Sequence, residues 1–447
     1  MVGTGRCIAT LFVILVASTI EGADSPRMPI EELLELAQSV PEHYDLAEVA
    51  TNCSHYIDEN KVGLDERLTL FRLRGAVRLK YRNAFAALTD FQFCQEAVPE
   101  DPSIKWLTAR ALATTGKFDE ATTICEELKV SNPQFAPAFA TSAVLRLKEG
   151  KTEESIAQLT HAISLDPSLQ YAYYIRASVL LKKREFKNAI NDCARALHLP
   201  SDQFMTSTVE ILLRRGQIRL FQGAWKYAAA DFSRVIQISP DNQEAHYGYW
   251  KSNFAQHNYN IATKSALTLL ELSPDSQRSL KVGSQTFAKT GQPHRALAMA
   301  TRWVQLAPNN IDAKVQKAVA LDAAGSDVQA LAMLDAILKS SPSSKGAMAH
   351  KCWMLIASEQ SELRDPKAAL QLAQQLSETG NSSLFTAGLL AGAAAAKLND
   401  MNLAQDWFKI ARDNVKNSSQ AESLKAIVDA INARRPVQIA QPPLELL

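Results

Sequence analysis

The sequence predicts an all-α chain in which antiparallel helix pairs, about ten of them, stack into a right-handed superhelical solenoid. Three observations carry this expectation. First, Pro240, Pro274, Pro308 and Pro342 follow one another at 34-residue intervals, each closing an apolar run ("VIQISPDN", "LLELSPDS", "WVQLAPNN", "AILKSSPSS"), and Pro99, Pro133 and Pro167 keep the same spacing upstream. Proline lacks the backbone donor and its ring clashes with the preceding turn, so regularly spaced prolines end helices at regular intervals. Second, small residues recur in phase with the prolines. Third, 17 glycines and 18 prolines among 447 residues, with abundant Ala and Leu, is a helical composition.

Numbering each prolyl site as position 32 of a 34-residue unit places Gly75, Ala109, Ala143, Ala177, Gly216, Trp250, Ser284, Ala318 and Cys352 at position 8. Position 20 holds Ala87, Ala121, Ser155, Ala189, Ala228, Ala262, Ala296 and Ala330. Four residues later stand Phe91, Cys125, Leu159, Cys193, Phe232, Ala266, Ala300 and Leu334. A small residue lets two helices cross closely, and larger side chains one turn away fill the space around the contact. With these residues in place, the sequence resembles the tetratricopeptide repeat family, whose helix-turn-helix unit carries small residues, an Ala-x-x-x-Phe step and a closing Pro at these spacings. "AAADFSRVIQISP" (228–240) and "YYIRASVLLKKREFKNAINDCARALHL" (173–199) match best, and the resemblance covers about four fifths of the chain. The first-helix position where the family favours Trp instead holds Phe71, Lys105, Phe139, Tyr173, Leu212, His246, Leu280, Lys314 and Met348.

The register divides the chain into a signal peptide (1–23), a degenerate N-terminal helix pair as cap (24–67), the solenoid (68–418), a C-terminal capping helix (419–435) and a Pro-rich tail expected to be disordered (436–447). Two insertions break the phase, "FMTST" (204–208) and the longer turn "SEQSELRDP" before a helix starting near Pro366. Both are expected in turns, where added length costs little.

"MVGTGRCIATLFVILVASTIEGADSP" has one positive charge, Arg6, then fourteen mainly apolar residues from Cys7 to Ile20, then small residues suited to cleavage after Gly22 or Ala23. Fourteen residues fall short of the roughly 20 that span a bilayer. An exported mature chain without a stable membrane span is therefore expected, periplasmic or secreted, or lumenal in a eukaryote. Four of its five cysteines (Cys53, Cys94, Cys125, Cys193, Cys352) fall on packing positions, so they read as buried, inert thiols. Asn52, Asn381 and Asn417 begin glycosylation sequons, relevant in a eukaryotic source.

For chemistry the reading is negative. The chain has no His-Glu-x-x-His, Gly-x-Ser-x-Gly or Gly-x-x-x-x-Gly-Lys motif, no dinucleotide fingerprint and no His-Pro-Asp tripeptide. His246 and His257 are eleven residues apart, about three helical turns, too far to share an ion. The flanks of the array, roughly 44 residues in front after the signal and 29 behind, are too short for a catalytic domain with its own core. With 48 basic against 47 acidic residues there is no global field for nucleic acid. No enzyme, cofactor or metal site is expected.

The expectation is a noncatalytic scaffold or assembly factor that binds another protein along the face lined by first helices. An accessory subunit of an envelope or polysaccharide export system, taking glycan or lipid-linked substrate, is the alternative. The resemblance implies that positions 2, 5, 6, 9 and 13 face the groove. These supply Arg72, Trp106, Arg110 and Tyr174, then Arg214, Gln217, Tyr247 and Lys251, then Arg278, Lys281 and Gln285. Basic residues with aromatics between them suit an acidic, extended segment of a partner protein. The family's carboxylate clamp is not reproduced in consecutive units. On the plainer reading, these residues are solvated walls whose charges are met by acids such as Glu210 and Glu244.

Overall fold

The turn inside each helix pair is set by one backbone position. In the computed structural model, Gly116, Gly150, Gly223, Gly291 and Gly325 have φ between 70° and 88°, and all stand at position 15 of their units. The amide of the next residue then reaches back over the helix end: Lys117 to Leu112 O, Lys151 to Arg146 O and Ala224 to Arg219 O, at 2.8–2.9 Å. This closes orphan carbonyls of the first helix and turns the chain into the second. Arg82, Arg184, His257 and Asn399 take the same left-handed conformation, with φ of 60–61°, at the same position and without the freedom of glycine.

The structure describes residues 27–37, 44–59, 61–200, 206–358, 360–415 and 418–432. The chain divides into two compact units, residues 1–211 and 212–447. In the first, the helices are α1 (Ile30–Leu36), α2 (Leu46–Glu59), α3 (Leu64–Lys80), α4 (Ala84–Ala97), α5 (Pro102–Thr115), α6 (Phe118–Ser131), α7 (Ala136–Lys148), α8 (Thr152–Leu165), α9 (Gln170–Lys182) and α10 (Phe186–Leu197). Helix α11 (Thr208–Phe221) begins in the first unit and ends in the second. There follow α12 (Trp225–Ile238), α13 (Gln243–Ala255), α14 (Tyr259–Leu272), α15 (Gln277–Lys289), α16 (Pro293–Leu306), α17 (Ile311–Ala323), α18 (Asp327–Ser340), α19 (Lys345–Ala357), α20 (Pro366–Glu378), α21 (Leu384–Lys397), α22 (Met401–Asp413) and α23 (Ser418–Asn432).

Helices α12, α14, α16 and α18 start 34 residues apart, and each ends two residues before its proline. Every position-20 residue from Ala87 to Ala330 is fully buried, including Ser155. The large residue four positions on fills the space a small residue leaves opposite. A Cβ on Gly75 would come within 2.5 Å of the Phe91 ring, and one on Gly216 within 2.8 Å of Phe232. Consecutive helices pack on each other from α1 to α10 in the first unit and from α12 to α23 in the second. First helices also touch first helices, α3 to α5, α5 to α7 and α7 to α9 in the first unit, α15 to α17, α17 to α19 and α19 to α21 in the second. Within each unit they form one layer and the second helices the other. The cysteines at packing positions are buried, and none of them forms a disulfide among the described residues.

At the first unit's start, α1 packs on α2 and α3. Helix α3 begins at Leu64, four residues before the register places its unit, because the Glu66 carboxylate accepts the Gly63 amide at 2.9 Å and caps that end. In the second unit, the insertion before α20 forms a short 3-10 turn, Ser361–Leu363, and Asp365 caps α20 by accepting the Ala368 amide at 2.9 Å. Helix α23 covers α22 and α21, and every residue of α21 from Phe385 to Ala395 is buried. The signal segment, Phe204 and Met205, the Asn417 sequon and the Pro-rich tail lie outside the described residues. Among the described residues no helix is long and apolar enough to cross a membrane.

Candidate binding groove

In the first unit, the first-helix layer brings three of its four candidate residues into one neighbourhood. Trp106 on α5 donates its indole N–H to Thr141 Oγ1 on α7 at 2.9 Å and meets Phe135 edge-on at 6.1 Å. The Arg110 guanidinium, one turn further along α5, lies 5.1 Å from the Trp106 ring centroid and 5.9 Å from that of Tyr171 on α9. Because α7 stands between α5 and α9 in the layer, a side-chain contact that spans it requires this face of the unit to be concave. Tyr174 lies half-buried on the same helix as Tyr171, whose hydroxyl pKa is pushed up by burial. Tyr171 was not among the sequence candidates although it occupies groove position 2. Arg72 on α3 is half-buried and forms no ion pair among the described residues.

In the second unit the candidates fall into two groups. Arg214 Nη1 on α11 donates to Gln217 Oε1 at 3.1 Å, and Gln217 donates in turn to the Glu244 carboxylate on α13. These two are tied to each other and to an acid. On α13, Tyr247 stacks on Trp250 at 5.7 Å, and the Arg278 guanidinium from α15 sits 4.8 Å from its ring centroid. Lys251 and Lys281 are half-buried on the same two helices, and neither forms an ion pair among the described residues. Gln285 is a correction: it is 3% exposed, packed within the first-helix layer, and so lines no open groove. The helices of this region lie close enough to bury position 9 on α15, which a positional rule does not register.

No protein-family model matches the chain. It is 30% identical to the TPR repeat-containing thioredoxin TDX of Arabidopsis thaliana over 117 residues, 26% of this chain and 30% of that protein. It is 25% identical to the DnaJ homolog subfamily C member 3 of Rattus norvegicus over 239 residues, 49% of this chain and 46% of that protein. The matches thus span less than half the length of these relatives. Among solved structures, a chain of the APC/C hetero-tetramer Cut9–Hcn1 shares 14% identity at a TM-score of 0.48, covering 72% of this chain and 65% of that one. The 34-residue helix pair, the buried small residue at position 20 and the named repeat relative agree. The described chain is an all-α array of 34-residue helix pairs that resemble tetratricopeptide repeats.

Within these helix-pair units a second recurring device was missed by the positional reading. Arg74 grips Asp90 sixteen residues on, Arg176 grips Asp192 and Arg215 grips Asp231 at the same separation, with the closest contacts at 2.6–2.8 Å. Arg78 and Arg219 add a second guanidinium to Asp90 and Asp231, at 2.8 and 2.6 Å. Each clasp ties the first helix of a pair to its second helix. The Arg176 pKa is raised, chiefly by its hydrogen bonds to Asp192. The pattern Arg-x-x-x-Arg with Asp sixteen after the first Arg is visible twice in the sequence, and was the signal available.

Proposed function

We propose that this tetratricopeptide chain is a noncatalytic scaffold or assembly factor that holds an acidic, extended segment of a partner protein along its first-helix face. One observation carries the reading: Lys251 and Lys281 stand half-buried without an ion-pair partner among the described residues, beside Arg278 placed over Tyr247. A cation partly withdrawn from water and left without a counter-charge favours a carboxylate that brings one, while the ordered Tyr-Arg stack supplies rigid contact area at little entropy cost. Repeats of this architecture present such a face over many units, which suits a chain segment better than a compact ligand.

The alternative, a subunit binding glycan for export, calls for bare aromatic platforms. Here Trp106 and Trp250 direct their indole N–H groups at Thr141 and Thr286, and Tyr247 is covered by Arg278. The protein-binding reading is therefore preferred. Export of the mature chain, inferred from the N-terminal apolar segment, belongs to the same proposal, and protein recovered from an exported fraction should begin near Asp24.

The test is charge reversal. Lys251→Glu with Lys281→Glu should leave the melting temperature unchanged and reduce recovery of the native partner, with the wild-type interaction weakening as salt rises. Undiminished recovery by the variant removes this surface as the anchor.

A further inference from the structure

We infer that Glu210 is a built-in occupant of the first unit's concave face, holding the position that an acidic partner residue takes on binding; this rests on the acidic-segment reading above. The groove positions of the four units from residue 68 to 203 carry Arg72, Lys80, Arg110, Lys148 and Lys182, and no Asp or Glu. The next acid in that register is Glu210, at the end of the first unit. Its carboxylate reaches back 130 residues in sequence to accept from Lys80 Nζ at 2.7 Å. Lys148 and Lys182 are exposed without ion pairs among the described residues.

The contact is built to be exchangeable. Glu210 is 41% exposed at its side chain and Lys80 21%, so the pair is reached by water and by a competing carboxylate. A partly solvated pair of this kind is worth little on its own. Glu210 also serves α11 locally: its Oε2 accepts the Ser207 amide at 2.8 Å and the Ser207 hydroxyl at 3.2 Å, and its own amide faces Ser207 Oγ at 3.3 Å. That is a capping box, in which a glutamine serves as well as a glutamate. If an acidic ligand takes Lys80, Glu210 keeps its capping role and loses only its distant partner. The charge of Glu210 and its cap are thus separable, which makes the inference testable.

The experiment is fluorescence anisotropy of a labelled decaglutamate peptide against the full chain at low salt. Glu210→Gln keeps the cap, so its melting temperature should match the wild type. It should bind the peptide about two- to fivefold more tightly, the factor a partly exposed pair commands. In the double variant with Lys80→Gln the gain should disappear. Equal or weaker binding by Glu210→Gln, with wild-type binding still lost on reversing Lys251 and Lys281, overturns this inference and leaves the groove reading standing. Failure of both wild type and Glu210→Gln to bind overturns the two together.

Discussion

Arg74 and Asp90 are locked side by side: Nε lies 3.2 Å from one carboxylate oxygen and Nη2 2.7 Å from the other, with the Asp90 side chain 1% and the Arg74 side chain 10% exposed. The aspartate belongs to the second helix of a unit and the arginine to the first. The clasp therefore fixes how the two helices of a unit are rotated against each other, and its recurrence at Asp192 and Asp231 makes it a repeated part of the architecture.

Removing an aspartate from such a clasp leaves buried arginine charge without compensation. Asp231→Ala, which strands both Arg215 and Arg219, should destabilise the chain by about 3 kcal/mol, the lower end of the range for breaking a buried pair because both guanidinium groups keep some solvent. Asp275→Ala, which removes the exposed partner of Arg302, should leave the denaturation midpoint unmoved. Equal effects from the two substitutions would show that the clasps carry no special weight.

Much of the architecture was legible because it depends on local chemistry. Prolines that end helices, and a small residue at each crossing, leave a fixed period whatever surrounds them, so the helix pairs could be read from the recurrence of positions such as those of Ala228 and Pro240. The groove was less legible. Arg110 meets Tyr171 across sixty-one residues, and Glu210 meets Lys80 across 130, contacts set by the curvature of the first unit and not by any neighbour in sequence. Gln285 failed for a related reason: its exposure depends on how closely α15, α17 and α13 approach, which small differences in packing decide. Arg74 and Asp90 looked like ordinary solvated charges because a helical wheel does not say which charged position meets its counter-ion.

At Gly388 the backbones of α21 and α22 approach each other directly. A Cβ there would lie 2.8 Å from Trp407 O and from the Ala411 amide nitrogen, both backbone atoms that cannot step aside. Gly388→Ala should cost about 1–3 kcal/mol or more, as overpacking does, read as a shift of the urea midpoint at constant slope. A neutral substitution would mean that α21 and α22 are not pressed together as described.

The four non-glycine residues in left-handed turns point the other way. Arg184→Gly relieves a φ of 61° in an exposed turn and should stabilise the chain, by about 1 kcal/mol at most once the greater freedom of glycine in the unfolded state is set against it. Arg184→Val, whose branched side chain fits this conformation poorly, should destabilise it. Thermal denaturation of the pair gives the sign directly.

Burial raises the thiol pKa of Cys53, Cys94 and Cys125 from 9 to about 12. The folded chain thus keeps three protons that the unfolded chain releases. Stability should be fully present below pH 9 and fall as pH rises from 9 towards 12, because in that window the unfolded state binds fewer protons. At pH 8 an alkylating reagent should leave these cysteines unmodified in the native protein and modify them all in urea. Rapid labelling of any of the three without denaturant would contradict their inert, packed setting.

The most direct measurement is site-specific photo-cross-linking in the native source, with the photoreactive residue placed at Tyr247 on the first-helix face or at Tyr227, an exposed position on the second helix α12. The groove reading requires the Tyr247 position to capture a protein through a segment rich in Asp and Glu, with the adduct lost on Lys251→Glu and Lys281→Glu, and the Tyr227 position to capture little. Adducts that favour Tyr227, or a Tyr247 adduct indifferent to the lysines and lacking acidic residues, would place the binding surface elsewhere.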